Sequence, residues 1–213
     1  MNQPKLPALI QRFLSQHYST ADSSDTDSGA SSAMQAFPLF DQKLYLHSSA
    51  ACTFFVPSDY CGMHGLRREH IRATGSWRGE HARQDVVLVD TGDGGNKSLP
   101  MSGYALARVL YLFSFQYARE HFPVALVWWY TLSDDAGCRD EATGMWLVER
   151  EYRDDGEPHF VVVPVASFLR AAHLMPFFEQ EAVSQDLSHR ETLDVYARFY
   201  VNRYADHHVF EIL

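Results

Sequence analysis

The chain begins with a stretch in which apolar residues recur every three or four positions, LPALIQRFLSQHY. The recurring residues are Leu6, Leu9, Ile10, Phe13 and Leu14. This spacing places apolar side chains along one side of a helix. It predicts a short amphipathic helix over residues 1–19.

The hydrophobic pattern then disappears and later returns in a different form. Residues 20–36 are rich in Ser, Asp and Gly without an apolar period, which is typical of a flexible linker. From residue 37 onward, apolar residues form short runs separated by turn residues. We therefore predict one β-rich globular domain over residues 37–213.

Short apolar runs bounded by Gly, Pro, Asp and Asn predict most strands of this domain. The run DVVLVD precedes the turn residues TGDGGNKS, and RDDGEP separates GMWLVEREY from HFVVVPV. The stretches ALARVLYLFSFQY and FPVALVWWYTL are rich in the β-branched and aromatic residues that favour strands. Five or six strands at nearly regular spacing predict a small barrel or sandwich.

The last part of the chain returns to a helical pattern, in SHRETLDVYARFYVNRYADHH. Ser188 and Glu191 have the spacing of a capping box. Apolar and aromatic residues then recur at three or four positions: Leu193, Tyr196, Tyr200 and Tyr204. The pattern predicts a helix over residues 189–207 that closes the domain.

Composition and charge indicate an intracellular globular protein of ordinary size. The 213 residues carry a formal net charge of −9, so the chain as a whole lacks the charge of a nucleic-acid binder. The three cysteines lie far apart, at positions 52, 61 and 138, which fits a reducing compartment. No stretch approaches 18 consecutive apolar residues, so we expect no contact with a membrane interior.

Positive charge is nevertheless concentrated in residues 67–83, which we name the basic segment. It contains five arginines and two glutamates, so its charge is near +3. The candidate nucleic-acid-binding residues are Arg67, Arg68, Arg72, Trp77, Arg78 and Arg83. Guanidinium groups bind phosphate, and an indole ring stacks on bases. The alternative is that these arginines pair with the surplus acidic residues elsewhere in the chain.

Two groups of His, Cys and acidic residues raise the question of a metal site, with zinc as the expected ion. Cys61 and His64 form a Cys-x2-His pair near His70, but a zinc module carries two such pairs, and Cys61 also suits a buried thiol. Near the end, His207 and Glu211 would face the same way on a helix. The alternative is that these His residues are the polar end of that helix. We expect no cofactor.

The run VVLVDTG resembles the catalytic signature of aspartic proteases, in which Asp90 would form half of a carboxylate dyad. Such enzymes also carry two large aliphatic residues followed by Gly further along the chain. No such tripeptide follows residue 92. We interpret the run as a strand that leaves the core into a turn.

Several motifs follow one another in a specific order and spacing: GLRREHIRATGSWRG, ARQDVVLVDTG, ARVLYLFSFQY, FPVALVWWYTL, DEATGMWLVERE, FLRAAHLMPFF and FYVNRYADHHVFEI. From about residue 37 onward the chain resembles the C-terminal region of fungal Plavaka-type transposon proteins. The resemblance implies an origin in a fungal DNA mobile element and a nuclear location. The family's transposase core lies upstream of this region, so the resemblance carries over no functional residue.

An apolar strand is followed, in order, by ARVLYLFSF, ALVWWYTL, GMWLVERE and FLRAAHLMPF. This order of elements is also similar to that of bromo-adjacent homology domains. Those domains are small distorted β-barrels that bind chromatin proteins. The fold class we expect is therefore α+β: a five- to six-stranded barrel of SH3 or bromo-adjacent homology type. An N-terminal helical arm and a C-terminal helix complete it.

Three functions are compatible with these patterns. The first is a non-catalytic binding module that contacts DNA or chromatin through the basic segment. The second is a metal-dependent hydrolase or nuclease that uses some of His64, His70, Asp90, His207, His208 and Glu211. The third is a protein–protein or oligomerisation domain that uses the tyrosine side of the last helix. We expect the first, because the basic segment and the family resemblance agree.

Overall fold

The computed structural model describes residues 5–22, 40–56, 65–133, 139–178, 183, 186–188 and 190–213. The helices in these ranges are α1 (Leu6–Asp22), α2 (Thr192–Val195) and α3 (His207–Ile212). The strands are β1 (Tyr45–His47), β2 (Ser49–Phe55), β3 (Leu66–Trp77), β4 (His81–Gln84), β5 (Val86–Asp90), β6 (Tyr104–Tyr117), β7 (Glu120–Leu132), β8 (Trp146–Arg150), β9 (Phe160–Pro164), β10 (Phe168–Ala172), β11 (Leu174–Pro176) and β12 (Arg198–Val201). Short 3-10 turns, Pro100–Gly103 and Val165–Ser167, precede β6 and β10. None of the described helices is long and apolar enough to cross a lipid bilayer.

Nine strands form one antiparallel sheet that nearly closes into a barrel. Along it the order is β10-β5-β6-β7-β8-β12-β11, with β1 added on β6 and β9 added on β7. The two ends of this order, β10 and β11, are consecutive in the chain and separated only by His173. Because β10 pairs with β5 and β11 pairs with β12, one bent segment joins both edges of the sheet.

The barrel architecture matches the prediction, but the strand count is larger than five or six. The strands that no apolar run predicts include β3 and β4, which form a separate three-stranded sheet with β2, in the order β2-β3-β4. β3 is largely polar. It therefore lacks the apolar run by which a strand is recognised in a sequence.

Strand β5 shows how the layers pack, because all four of its apolar residues are buried. Val86 and Leu88 lie in the barrel core. Val87 and Val89 point the other way and pack with Ile71 of the three-stranded sheet. A strand covered on both faces is a continuous apolar run, and the three-stranded sheet supplies the second cover.

Helix α1 packs on the outside of the long β6–β7 hairpin and on β9. Its buried residues include Ile10, Phe13 and Leu14, the positions that the helical spacing predicts. The rings of Phe13 and Phe122 meet edge to face, with centroids 5.9 Å apart. The helix continues to Asp22, past its predicted end, and residues 23–36 of the predicted linker lie outside the described ranges.

The predicted helix over residues 189–207 is wrong. The structure has one turn of helix (α2), then strand β12, and a separate helix α3 that begins at His207. In β12 the buried residues are Phe199 and Val201, and Phe199 packs edge to face on Tyr130 inside the barrel. The four-residue spacing of the tyrosines is an even number, so it also fits one face of a strand.

The oligomerisation hypothesis requires the three tyrosines to lie on one side of a helix. Because residues 198–201 form a strand, the tyrosines do not. Each instead contacts a different phenylalanine, at ring-centroid distances of 5.2 to 5.8 Å. The pairs are Tyr196 with Phe178, Tyr200 with Phe177, and Tyr204 with Phe210. The Ser188 N–H does donate to Glu191 Oε2 at 3.4 Å, but α2 begins only at Thr192, with Glu191 at its N-cap position.

Candidate nucleic-acid interface

The basic segment folds as the hairpin β3–β4, with its turn at residues 78–80. Alternate residues of a strand point to opposite faces. Arg67 pairs with the buried Phe54 and shares its inner face with the buried Ile71. Arg68 and Arg72 therefore lie on the outer face, turned away from the core. The candidate nucleic-acid-binding residues are thus divided between the two faces of the sheet, and Arg67 lies apart from the others.

Trp77 gathers three arginines on the outer face. The guanidinium carbons of Arg72, Arg83 and Arg78 lie 4.4, 5.2 and 5.5 Å from the centre of its ring, which is within cation–π range. The turn brings Arg78 back to the ring, with Arg78 and Gly79 at positive φ values of 55° and 80°. The indole thus holds the chain's own guanidinium groups, and a base would have to displace one to stack there.

The two glutamates of the basic segment are directed elsewhere. Glu69 lies on the inner face, where its carboxylate accepts the backbone N–H of Ala171, and burial raises its pKa above the ordinary value. Glu80 lies at the turn and pairs with Arg190, with 2.8 Å between Nη2 and Oε2. Neither carboxylate neutralises the arginines of the outer face.

Asp85 is the acidic residue closest to the Trp77 arginines. Its Oδ1 accepts from Arg83 Nε at 2.8 Å, and its Oδ2 accepts the backbone N–H of Arg72 at 2.9 Å. Within the described part of the chain, Arg68, Arg72 and Arg78 form no ion pair. The outer face therefore keeps most of its positive charge.

The terminal Asp-His-His sequence forms a structural cluster around Arg170 of β10. The Arg170 guanidinium donates to both carboxylate oxygens of Asp206 and contacts His208 Nδ1 at 3.0 Å. Asp206 also caps α3 by accepting the N–H of Val209 at 2.9 Å. The motif thus ties the last helix to the barrel.

Phe54 packs against this cluster and covers one side of it. The His208 ring stacks on the Phe54 ring at 5.1 Å with an interplanar angle of 11°, and Arg170 lies over the same ring at 4.7 Å. Burial, followed by the positive charge of Arg170, holds the pKa of His208 below its ordinary value of 6.5. The neutral imidazole therefore accepts a hydrogen bond from Arg170.

Sequence reasoning did not identify Arg170, although its strand contained a signal. In FLRAA, a single arginine stands among four apolar residues, and a register shift between Phe168 and Arg170 turns these two side chains to opposite faces of the strand. A single charged residue on an apolar strand face needs a buried partner. The identity of that partner, Asp206, depends on a contact between residues 36 positions apart.

The candidate metal ligands do not come together. His207 and Glu211 face the same way, as predicted, with 3.4 Å between Nε2 and Oε1, but His70 lies on the outer face of the hairpin. Cys61 and His64 lie outside the described residues. In the described ranges, no three His, Cys, Asp or Glu side chains form a group that could hold a metal ion.

Two further residues that could carry chemistry, Asp90 and Cys52, have surroundings that fit a structural role instead. Asp90 ends β5 and accepts the N–H groups of Gly92 at 2.8 Å and Gly94 at 3.2 Å, the turn that the strand-and-turn interpretation predicts. Cys52 is buried opposite Glu69. Burial, followed by the Glu69 charge, raises the pKa of its thiol to about 11, so the thiol is protonated and unreactive at neutral pH.

The outer face of the hairpin offers a ligand positive charge and hydrogen-bond donors on a two-stranded ribbon. Comparisons with protein-family models, curated proteins and solved structures find no match to this chain. Its function is therefore inferred from the geometry of its own residues.

Proposed function

We propose that this chain is a non-catalytic binding module that contacts DNA through the outer face of hairpin β3–β4. The observation that supports this is the cluster of arginines around Trp77, in a chain whose net charge is −9. A concentrated positive face on an acidic protein orients it toward a polyanion. Guanidinium forks also match the geometry of phosphate oxygens.

The shape of the hairpin supports the same proposal. The major groove of DNA admits a two-stranded β-ribbon, and the arginine-bearing turn forms the end of such a ribbon. Trp77 keeps Arg72, Arg78 and Arg83 close to one another, so less side-chain entropy is lost when they meet phosphates. Arg68 extends the same face along β3.

The resemblance to fungal transposon proteins supplies a context for this proposal. A protein derived from a DNA mobile element would work in the nucleus, where DNA is the abundant polyanion. This origin and location are part of the proposal and rest on the motifs quoted above.

Binding of the purified protein to labelled double-stranded DNA, measured at salt concentrations from about 50 to about 200 mM, tests the proposal. We expect affinity to fall steeply as salt rises. The triple variant Arg68→Gln/Arg72→Gln/Arg78→Gln should bind more weakly. The slope of log K against log salt should decrease by about 1 for each lost phosphate contact.

A matched control removes the same number of positive charges from other exposed positions. The variant Arg12→Gln/Lys97→Gln/Arg119→Gln has that property, and it should keep both the affinity and the salt slope. Equal losses in the two variants would show that net charge, and not this face, governs binding. Binding to nucleosomes without binding to free DNA would assign the face to a chromatin protein instead.

A further inference from the structure

A second arginine site lies on strand β6 of the barrel sheet, on residues that the DNA-binding proposal does not use. Arg108 of β6 is two residues from Leu106 of the barrel core, so both point to the same face. Its side chain is only 10% exposed. Both of its terminal nitrogens donate to the Asp194 carboxylate, Nη1 to Oδ1 and Nη2 to Oδ2, the latter at 3.1 Å. Asp194 reaches this position from α2, and its side chain is 60% exposed.

Two neighbouring strands add donors beside Arg108. Tyr130 of β7 pairs with Leu106, and Arg150 of β8 pairs with Tyr130. Arg150 Nη2 donates to the backbone oxygens of Asp194 at 3.2 Å and Tyr196 at 2.8 Å. Burial raises the pKa of Tyr130 to about 12, so its hydroxyl remains protonated.

This group contains more donors than acceptors. Among the described residues, the Tyr130 hydroxyl and the Nε atoms of Arg108 and Arg150 are buried without a hydrogen-bond partner. Two guanidinium groups, those of Arg108 and Arg150, act on the Asp194 carboxylate and hold its pKa below the ordinary value, with the Arg108 hydrogen bond as the main cause. Buried polar atoms normally have partners, so unpartnered donors beside two positive charges favour an additional oxyanion.

The site is also accessible from outside. A cavity of about 460 Å³ adjoins Arg108 and Asp194, and its wall includes His81 and Arg190, with Glu191 as a second acid. A planar or tetrahedral oxyanion can enter this space and reach the guanidinium fork.

We propose that the Arg108 fork is an oxyanion-binding site, which Asp194 occupies in the structure and for which an external carboxylate or phosphate competes. Arg108 binds Asp194 with both terminal nitrogens although Asp194 is exposed. Unpartnered donors of Tyr130, Arg108 and Arg150 lie nearby, and Arg108 lines the cavity. Bidentate geometry of this kind is specific for carboxylate and phosphate oxygens. Asp194 serves as an internal ligand that lowers the affinity for external ones.

Rescue by small anions tests this site. The variant Asp194→Ala should unfold at a lower temperature than the wild type. Added acetate or inorganic phosphate should raise its melting temperature in a saturable manner, beyond the effect of chloride at equal ionic strength. By isothermal titration, the anion should bind this variant about tenfold or more tightly than the wild type, since the tethered competitor is gone.

Three further variants keep the test decisive. Asp194→Asn preserves the shape of the side chain and should show the same rescue if the alanine variant fails to fold. Rescue should disappear when Arg108→Lys is added, because lysine keeps the charge but lacks the fork. Glu80→Ala removes an exposed carboxylate from Arg190 and serves as the control without rescue.

Each outcome decides the proposal. Rescue by both anions, or by phosphate alone, supports an oxyanion site and identifies the preferred class. Rescue no greater than that of chloride, or rescue that survives Arg108→Lys, overturns it and leaves Asp194 as a structural contact only. Because the hairpin arginines are untouched in these variants, DNA binding can fail or succeed independently.

Discussion

The outer face of hairpin β3–β4 and the cluster around Arg170 are both built from arginine, an aromatic ring and nearby acidic residues, yet they differ in what the arginine contacts. On the outer face, three guanidinium groups surround Trp77, and among the residues that the structure describes only Arg83 of these three is paired with a carboxylate. In the cluster, Arg170 is 6% exposed, and Asp206 and His208 bind its guanidinium.

This difference shows that the position of the acidic partner decides what an arginine can do. A buried guanidinium is costly unless hydrogen-bonded acceptors surround it, so Arg170 is committed to holding α3 on the barrel. An exposed guanidinium on an indole remains hydrated and charged. It can exchange water for phosphate at little cost.

The largest expected effect is on stability, in the Arg170 cluster. Asp206→Ala removes the cap of α3 and leaves the buried guanidinium with only the more distant Glu69 carboxylate, 4.0 Å from Nε. We expect a loss of about 3–5 kcal/mol in the free energy of unfolding, measured by urea denaturation. The double variant Arg170→Met/Asp206→Ala should be less destabilised than Asp206→Ala alone, because the unpaired charge is gone.

The exposed pair of Glu80 with Arg190 is the matched control for that experiment. Its side chains are 59% and 42% exposed, so Glu80→Ala should cost less than about 1 kcal/mol. Equal losses from Asp206→Ala and Glu80→Ala would contradict the contrast between a buried and an exposed arginine.

A smaller effect is expected from protonation of His208. Its pKa is lowered in the folded protein, so the unfolded chain takes up the proton first as the pH falls. The stabilisation is therefore complete above about pH 6.5 and decreases as the pH falls below that value. Urea denaturation between about pH 7.5 and pH 5 measures this loss.

The variant His208→Phe keeps a ring on Phe54 but cannot take up a proton, so its stability should depend less on pH in this range. His121→Gln changes an exposed histidine and should leave the wild-type dependence intact. If His208→Phe retained the full dependence, another group would be responsible for it.

The smallest effect is expected at the hairpin turn. Glu80→Gln removes a negative charge beside the arginines of the outer face and releases Arg190. DNA affinity at low salt should rise, by less than about tenfold, since exposed charges interact by roughly 1 kcal/mol. Fluorescence anisotropy with labelled DNA measures the change, and an unchanged or weaker affinity would argue against DNA contact at this end of the hairpin.

The strands that can be predicted from the sequence are those whose apolar runs are long. DVVLVD, ALARVLYLFSFQY and FPVALVWWYTL coincide with β5, β6 and β7, because a strand buried on both faces or rich in β-branched residues stands out without any partner. β3 was not expected as a strand, since its residues are mostly polar and pairing with neighbouring strands holds it in place. The four-residue spacing of the tyrosines before α3 is compatible with both a helix and a strand. The segment forms a strand because this conformation buries Phe199 in the barrel core.

For the candidate site, the sequence alone determined the residue types and the concentration of positive charge in residues 67–83. The tertiary structure decided which of these arginines share a face, because β3 sends Arg67 inward and Arg68 and Arg72 outward. It also decided where the acidic residues lie, placing Asp206 on Arg170 and Asp194 on Arg108 across separations of 36 and 86 positions. The physical reason is that charge pairing depends on distance in space, and long-range strand pairing sets that distance.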